Sequence, residues 1–208
     1  MDFASLLTSY ASKRTEIEKR LHEFKAVMKR PEEELFAEMV FCILTPQSKA
    51  HACDKAVKEL FSSGAVFSGN TRKIAEHLKS KVRFHKTKAG HIVKARLLLD
   101  NGGIKNKLVG DPIEIREWLV ENVYGMGYKE ASHFLRNIGM GKELAILDRH
   151  ILKNLVKHGV IKNIPKSMTK KRYMVIEEKM KEFSNTIGIP LAHLDLLLWS
   201  QETGEIFK

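Results

Sequence analysis

Residues 125–131 read Gly125-Met126-Gly127-Tyr128-Lys129-Glu130-Ala131, and they lie between two segments with helical periodicity. Two glycines at alternate positions allow positive φ angles and leave backbone amides uncovered by side chains. Because these amides stand at the start of the following helix, they form an anion site together with the positive end of its dipole. The segment therefore predicts a tight hairpin between two helices that can bind phosphate, although a lone Gly-x-Gly is also typical of a purely structural corner.

Two residues near the hairpin favour a catalytic role over a structural corner. Lys129 stands at the start of the second helix, and Asp148 follows downstream within Ile146-Leu147-Asp148-Arg149-His150. A lysine attacks carbon only as the neutral amine, a form favoured by desolvation, by nearby positive charge and by a helix N-terminus. Asp148 could cap a helix and also stabilise positive charge developing on a sugar ring. The pair indicates chemistry on a DNA sugar, and Arg149 and His150 could contact phosphate.

The composition favours a polyanionic partner. The chain has 208 residues and a formal net charge of +11. An excess of this size most commonly indicates nucleic acid binding, although a lysine-rich surface of the thermophile type would produce the same excess. Hydrophobic residues make up 43% of the chain and aromatic residues 8%. These values suit a helical globular protein long enough to bury one core or two small ones.

The two cysteines, Cys42 and Cys53, lie in consecutive predicted helices. Their spacing fits no metal-ligand motif, so we expect two buried, reduced thiols, and neither a metal nor a cofactor. The N-terminal residues lack a basic segment followed by an apolar core, and no apolar run approaches the about 18 residues that a membrane helix needs. The sequence therefore predicts a soluble, cytoplasmic protein without a membrane partner, and we expect it to act as a monomer.

Helical periodicity recurs along the whole chain, and strand signals are almost absent. Ser48 is predicted to cap the third helix, the Gly/Ser-rich segment 62–70 is predicted to be a loop, and Asn101-Gly102-Gly103 is predicted to stop a helix. Asp111 followed by Pro112 predicts a capped helix start. The predicted helices cover residues 3–28, 31–44, 48–62, 71–80, 88–100, 112–122, 128–138, 144–158, 168–187 and 191–202.

Residues from about 30 to 150 resemble the helix-hairpin-helix superfamily of DNA glycosylases, which includes endonuclease III. Residues 42–48 (Cys-Ile-Leu-Thr-Pro-Gln-Ser) resemble the segment that places a polar wedge near the flipped nucleotide. Residues 125–139 are closest to the compact 8-oxoguanine DNA glycosylases found mainly in archaea and some thermophilic bacteria. The ending at residues 198–208 is similar to the C-terminus of that family, so the resemblance covers essentially the whole chain.

Two features differ from the wider superfamily. The endonuclease III branch holds an iron–sulfur cluster through four cysteines near its C-terminus, and the two cysteines here lie far upstream. The usual hairpin often has a proline before its first glycine, where this chain has Tyr124. The first difference excludes such a cluster, and the second leaves the turn intact.

The resemblance implies a role for each candidate site residue. Lys129 corresponds to the Schiff-base nucleophile and Asp148 to the catalytic carboxylate. A flipped base is commonly stacked between flat apolar surfaces and read by hydrogen bonds along its edge. The base-recognition residues implied are Phe84, Trp199, the terminal carboxylate of Lys208, and Gln47 at the wedge. The residues expected to bind the DNA backbone are Gly125, Gly127, Tyr128, Arg149 and His150.

The fold implied by the resemblance is all-α, with two helical subdomains and a DNA-binding cleft between them. Residues 30–147 would form the subdomain with the hairpin, and residues 1–29 plus 148–208 would form the other. The function implied is a bifunctional DNA glycosylase/AP lyase for 8-oxoguanine in double-stranded DNA. It would work through a lysine imine and break the strand on the 3′ side of the lesion by β-elimination.

Two alternatives remain open from the residues themselves. The hairpin and the Lys129–Asp148 pair do not encode the base, so a glycosylase or lyase for another damaged base has the same signature. A hairpin of this kind also binds DNA backbone without chemistry in many proteins. A non-catalytic binding module has no use for both Lys129 and Asp148, so their presence favours an enzyme.

Overall fold

The computed structural model describes residues 3–100 and 102–208, and over these residues the chain is helical without a strand. The all-α prediction is confirmed. A 3-10 turn, Lys105–Lys107, precedes the helix that begins at Pro112. The α-helices are α1 Ala4–Val27, α2 Glu32–Leu44, α3 Ala50–Ser62, α4 Ala65–Ser68, α5 Thr71–Leu78, α6 His85–Asp100, α7 Pro112–Asn122, α8 Tyr128–Asn137, α9 Arg149–Lys157, α10 Lys170–Ile187 and α11 Leu191–Thr203.

Local capping signals explain several helix starts. The Asp111 side chain accepts a hydrogen bond from the Ile113 amide at 2.7 Å, and Pro112 occupies the first turn of α7. Asn70 caps α5 by accepting from the Lys73 amide at 2.9 Å. An oxygen from such a side chain satisfies one of the amides that the first helical turn leaves without a partner. The predicted Asp111–Pro112 helix start is confirmed.

Three predictions in the first half of the chain are wrong. Helix α3 begins at Ala50, with Lys49 at its N-cap position and no side-chain cap, so Ser48 does not cap it. The segment predicted as a loop between Ser62 and Asn70 contains the single-turn helix α4. Helix α6 starts at His85, earlier than predicted, and ends at Asp100; Asn101 of the predicted stop lies outside the described residues.

Residues 144–148 form neither helix nor strand, although their apolar pattern predicts helix. The Ala145 amide donates to Glu177 Oε1 at 2.8 Å, and the Tyr173 hydroxyl donates to the Ala145 carbonyl at 2.6 Å. These side chains of α10 supply the partners that a helical backbone would supply to itself. Helix α9 therefore begins only at Arg149, directly after Asp148.

The chain divides into two compact units. The hairpin unit is Val27–Phe134, and the terminal unit combines the residues through Ala26 with Leu135–Lys208. The hairpin unit ends at Phe134, whereas the sequence predicted a subdomain that ends at residue 147. The residues that follow pack within the terminal unit: Arg136 Nη1 lies 3.0 Å from Asp195 Oδ2, and its guanidinium lies 5.0 Å from the centroid of the Phe24 ring.

Helix α2 forms the core of the hairpin unit. Eight of its residues are buried, including the uninterrupted run from Met39 to Leu44. A helix that is apolar on all sides lies inside the protein, and α2 packs against α3 and α6. The buried α2 therefore brings its C-terminal end, and residues 45–48 after it, to the site described below.

Helix α11 plays the corresponding role in the terminal unit. Its buried residues include Leu194 and the run Leu196–Leu198, and it packs against α9 and α10. Buried Tyr173 of α10 completes this core. Within the described ranges 3–100 and 102–208, no helix has the length and apolarity of a membrane-spanning segment.

Candidate active site

The hairpin joins α7 to α8 through residues 123–127. Gly125 has a φ of +86°, and a Cβ atom at this position would overlap the His91 ring. Gly127 is exposed and does not have a positive φ. The Tyr128 hydroxyl donates to Glu117 Oε2 at 2.5 Å, which ties α8 to α7. The first glycine is therefore required by the turn, whereas the second leaves the backbone accessible.

Glu130 closes the start of α8. Its Oε2 accepts a hydrogen bond from the Gly127 amide at 3.1 Å. This is the arrangement of a capping box, in which an acidic side chain at the third helical position satisfies the amide at the N-cap. A carboxylate oxygen thus lies at the amide where the glycine pattern predicted an anion.

Lys129 lies between two oxygen acceptors. Its Nζ donates to Thr45 Oγ1 at 2.9 Å and lies 3.2 Å from Glu130 Oε1, and its side chain is 21% exposed. The Thr45 hydroxyl in turn donates to the Cys42 carbonyl at 2.9 Å, at the end of α2. The amine is therefore held in a defined position yet remains accessible, as a nucleophile requires.

Sequence reasoning missed Thr45 and Glu130 as partners of Lys129. Thr45 lies in the wedge segment, but its pairing with a residue 84 positions away has no local signal. Glu130 is the immediate neighbour of Lys129, and adjacent helical residues do not normally face each other. Here the Glu130 side chain turns back toward the hairpin, and this brings its carboxylate beside the amine.

Gln47 and Phe84 share an uncommon backbone conformation. Their φ angles are +54° and +56°, a region that costs most residues about 1–3 kcal/mol and that is frequent at functional sites. The Gln47 side chain is exposed, and the Phe84 side chain is 54% exposed. The Arg83 guanidinium lies 5.4 Å from the centroid of the Phe84 ring. An exposed aromatic ring on a strained backbone suits a surface that meets a ligand.

Lys88 is a second lysine of this region, and sequence reasoning did not single it out. Its side chain is 4% exposed, and Nζ donates to the Leu44 carbonyl at 2.7 Å, the Pro46 carbonyl at 2.8 Å and Ser48 Oγ at 3.0 Å. Burial, with the positive charge of Lys129 nearby, lowers the pKa of Lys88 to about 8.

The two cysteines lie in the interior of the hairpin unit, as predicted. Both are buried free thiols. Cys53 Sγ donates to the Leu44 carbonyl at 3.3 Å, and burial raises its pKa to about 11. A neutral buried thiol is inert, so Cys53 serves packing. Among the residues that the structure describes, no cluster of three or more histidine, cysteine or acidic side chains could hold a metal ion.

Asp148 caps α9 in the terminal unit. Its Oδ1 accepts a hydrogen bond from the Ile151 amide at 2.8 Å, and its side chain is half-buried. The capping role expected from the sequence is confirmed. Arg149 is exposed, and His150 Nδ1 lies 3.6 Å from Glu202 Oε2. One carboxylate oxygen of Asp148 therefore fixes the side chain at the start of the helix.

The C-terminal tail packs against α11. The Phe207 ring stacks on Trp199 with centroids 6.4 Å apart and an interplanar angle of 28°. Ile206 is buried, and Lys208 is half-buried. The tail is therefore ordered by its own side chains, and it brings the terminal residue to the same end of α11 as Trp199.

The predicted site residues divide between the two units. The hairpin unit contains Gln47, Phe84, Gly125, Gly127, Tyr128 and Lys129. The terminal unit contains Asp148, Arg149, His150, Trp199 and Lys208. Within the hairpin unit, hydrogen bonds link the wedge segment to Lys129 through Thr45 and to the Phe84 segment through Ser48.

Known proteins are similar to this chain over most of its length. A family model described as 8-oxoguanine DNA glycosylase matches residues 17–189. A Fusobacterium nucleatum protein named 8-oxoguanine DNA glycosylase/AP lyase is 42% identical over 205 residues, covering 96% of this chain and 94% of that protein. A Methanocaldococcus jannaschii protein of the same name is 36% identical over 193 residues, covering 92% of this chain and 91% of its own.

Two crystal structures have the same fold. The 8-oxoguanine DNA glycosylase of Thermotoga maritima superposes with a TM-score of 0.89 at 38% identity, covering 98% of this chain and 97% of that one. The Methanocaldococcus jannaschii 8-oxoguanine glycosylase/lyase, in complex with a 15mer DNA containing 8-oxoguanine, has a TM-score of 0.88 at 33% identity. That likeness covers 98% of this chain and 100% of the other.

Proposed function

This chain belongs to the 8-oxoguanine DNA glycosylase family, and we propose that Lys129 is the nucleophile of its reaction. The protein is a DNA glycosylase and AP lyase that acts on double-stranded DNA containing 8-oxoguanine. The observation that carries the proposal is the position of the Lys129 amine, held by Thr45 and Glu130 and still accessible. A lysine in this position can form the covalent bond that links base release to strand cleavage.

The chemical step begins with the neutral Lys129 amine, which attacks C1′ of the damaged nucleotide. The bond between C1′ and the base breaks, and the base leaves with the electron pair and takes up a proton. Asp148 stabilises the positive charge that develops on the sugar. The bond between C1′ and O4′ then breaks, O4′ keeps the electron pair and takes up the remaining amine proton, and an imine is left between Lys129 and C1′.

Strand cleavage follows from the same intermediate. The imine acidifies the C2′ hydrogen, and a base removes it as a proton. The electron pair then forms a double bond between C2′ and C3′, and the 3′ phosphate leaves with the electrons of its bond to C3′. This β-elimination breaks the strand on the 3′ side of the lesion, and hydrolysis of the imine restores the lysine.

The hairpin holds the DNA backbone in this proposal. The Gly127 amide already binds an anionic oxygen, that of Glu130. A DNA phosphate is an acceptor of the same kind, and it is attracted by the N-terminus of α8. Gly125, Tyr128, Arg149 and His150 would add backbone contacts, which fix register without reading sequence.

The base is recognised by flat surfaces and one carboxylate. Phe84 and Trp199 offer aromatic faces, and Gln47 enters the space that the flipped nucleotide leaves. Guanine oxidised at C8 carries an N7–H donor that guanine lacks. The terminal carboxylate of Lys208 is an acceptor only, so it pairs with such a donor. Burial of Ile206 and the stacking of Phe207 on Trp199 support this role by ordering the tail.

The setting is that of a monomer in the cytoplasm that stays close to chromosomal DNA. The net charge of +11 favours this association. No partner subunit is needed, since both the nucleophile and the carboxylate belong to the same chain. A glycosylase for a different damaged base would share Lys129 and Asp148 and differ in the recognition residues.

Borohydride trapping tests the nucleophile directly. Borohydride reduces an imine to a stable amine, so the protein becomes covalently attached to an 8-oxoguanine duplex if the intermediate forms. Lys129→Gln should remove the cross-link. A parallel series of duplexes that differ only in the lesion tests the substrate, and equal incision of all of them would contradict specificity for 8-oxoguanine.

A further inference from the structure

Lys88 is a buried cation that the reaction described above does not use. Its Nζ donates to three acceptors, the carbonyls of Leu44 and Pro46 and the hydroxyl of Ser48, all within 3.0 Å. These acceptors lie at the end of α2 and in the wedge loop, which we define as residues 45–48. An ammonium has three hydrogens to donate, so this environment satisfies all of them.

Ser48 connects the wedge loop to the segment before α6. Its hydroxyl oxygen accepts from Lys88 Nζ and also from the Arg83 amide at 3.0 Å. Arg83 immediately precedes Phe84, and its guanidinium lies over the Phe84 ring. One hydroxyl group thus joins the wedge loop to the backbone that presents this aromatic side chain.

The wedge loop also reaches the nucleophile. Thr45, its first residue, accepts the hydrogen bond from Lys129 Nζ. Gln47 lies between the two acceptors at Pro46 and Ser48, and its backbone has a positive φ that needs support from its surroundings. A cation that binds the loop on both sides of Gln47 provides this support.

We propose that Lys88 is a positioning residue that holds the wedge loop in place, and through it orients Lys129, Gln47 and Phe84 for the reaction. This inference rests on the proposed role of Lys129 as the nucleophile. Lys88 is buried, with its amine bonded to protein acceptors, so its role is an indirect one. It acts through Thr45 on the amine and through Ser48 on the segment that presents Phe84.

The surroundings of Lys88 disfavour its positive charge. Burial is the main cause that lowers the pKa of Lys88, and the charges of Lys129 and Arg83 act in the same direction. Glu130 and Cys53 act in the opposite direction. A cation retained where its charge is disfavoured must be held by its hydrogen bonds, and here two of the three go to the wedge loop and the third to the last residue of α2.

The test is Lys88→Met, which keeps an unbranched side chain, one atom shorter, but removes its donors. The matched control is Lys73→Met on α5, an exposed lysine of the same unit, so that both variants lose one positive charge. Imine trapping on a preformed abasic duplex is measured under single-turnover conditions at saturating enzyme. The dissociation constant for undamaged duplex is measured in parallel.

We expect the trapping rate of Lys88→Met to fall about tenfold or more relative to Lys73→Met, because small displacements of a reacting group cause losses of this size. The dissociation constants of the two variants should agree within about twofold, because each has lost one charge. A trapping rate equal to that of the control would overturn the proposal. So would equal losses in rate and in binding, which indicate general damage to the fold.

Ser48→Ala provides a second variant if Lys88→Met does not fold. Ser48 is not the cap of α3, so its loss should leave the helices intact while it removes the acceptor shared by Lys88 and Arg83. We expect a smaller decrease in trapping rate, about threefold, with binding unchanged. An unchanged rate for this variant contradicts the proposal even when Lys88→Met cannot be purified.

Hydrogen exchange of the peptide covering residues 41–50 separates this inference from the proposed function. Exchange in the wedge loop should become faster in Lys88→Met or Ser48→Ala and stay unchanged in Lys73→Met, whether or not Lys129 is the nucleophile. If Lys88→Met and Ser48→Ala show the same protection as the wild type, the proposed positioning role of Lys88 is wrong. Trapping that persists in Lys129→Gln would instead contradict the nucleophile assignment and leave the loop result intact.

Discussion

At the scale of single residues, the local contacts of Lys129 and Asp148 determine how cleanly their roles can be tested. Lys129 binds the Thr45 hydroxyl with its amine. Asp148 uses one carboxylate oxygen to cap α9. For both side chains an amide of similar size can replace the structural contact without replacing the chemistry, so structure and reaction can be separated.

Lys129→Gln should abolish base release and imine trapping while DNA binding stays close to that of the wild type. A glutamine amide can still donate to Thr45, but it has no nucleophilic amine. Excision of 8-oxoguanine, borohydride cross-linking and duplex affinity are measured on the same preparation. Robust borohydride-dependent cross-linking by the variant would exclude Lys129 as the nucleophile.

Asp148→Asn should lower base excision by about two orders of magnitude or more, because an amide cannot offset cationic charge on the sugar. Its Tm should stay close to that of the wild type, since asparagine caps helices about as well as aspartate. Asp148→Ala is the matched comparison and should lose about 1 kcal/mol of stability with the cap. Normal single-turnover excision by Asp148→Asn would leave the residue a helix cap only.

Lys88 should impose a pH dependence on stability. Burial lowers the pKa of Lys88 from its ordinary value of 10.5, which applies to the unfolded chain, to about 8 in the folded protein. Between pH 8 and pH 10.5 the unfolded chain therefore binds more protons than the folded protein. The free energy of unfolding gained from this group therefore rises with pH from about 8 to 10.5, by up to about 1.4 kcal/mol per pH unit. Denaturant unfolding of Lys88→Met should show a flatter profile in that range, whereas parallel profiles would contradict the lowered pKa.

At the scale of secondary-structure elements, the hairpin between α7 and α8 assigns different tasks to its two glycines. Gly125 has a positive φ and faces the His91 ring, so a side chain there is strained and obstructed. Gly127 is exposed, and a Cβ atom there would meet only Glu130 Oε2, at 3.2 Å. The first position tests the fold of the hairpin, and the second tests its surface.

Gly127→Ala should weaken binding to damaged and undamaged duplexes alike, by several-fold, because contacts to the DNA backbone carry no sequence information. Its Tm should change little, since alanine adopts the local backbone readily. Gly125→Ala should lower the Tm instead, because alanine is strained at a positive φ. Unchanged affinity of Gly127→Ala for undamaged duplex would indicate that the hairpin does not hold phosphate.

At the scale of the whole molecule, the residues with proposed roles in the chemistry divide between the two compact units. The hairpin unit carries the lysine and the wedge loop, and the terminal unit carries Asp148, Trp199 and the C-terminal tail. The packing of Phe207 on Trp199 makes the tail part of the terminal unit. The base recognition proposed for the tail can therefore be tested there without altering the residues of the hairpin unit.

Adding a few residues after Lys208 should impair removal of 8-oxoguanine far more than strand cleavage at a preformed abasic site. The abasic site has no base for the terminal carboxylate to bind, yet in the proposed mechanism its cleavage still requires Lys129. The two substrates are compared with one extended variant and the unextended chain. Equal relative activities on both substrates would remove the carboxylate from the recognition site and leave the tail to packing.

Features that depend on neighbouring residues could be predicted from the sequence. Asp111 with Pro112 determines where α7 begins, and the glycines at 125 and 127 determine the hairpin. Asp148 caps α9 through an amide three residues away. Each of these effects acts within one helical turn, so the local sequence contains all the groups involved. The helical class follows from the periodicity of apolar residues, and the positive charge follows from the composition.

Only the tertiary structure decided which distant groups meet. Residues 144–148 have an apolar helical pattern but are not helical, because side chains of α10 bind the Ala145 backbone. Ser48 resembles a helix cap but instead accepts hydrogen bonds from Arg83 and Lys88. Apolar periodicity indicates which face of a helix is buried, but it does not specify the partner across the interface. The hydrogen bonds of Lys129 to Thr45 and of Lys88 to the wedge loop exist because packing brings α2, α6 and α8 together.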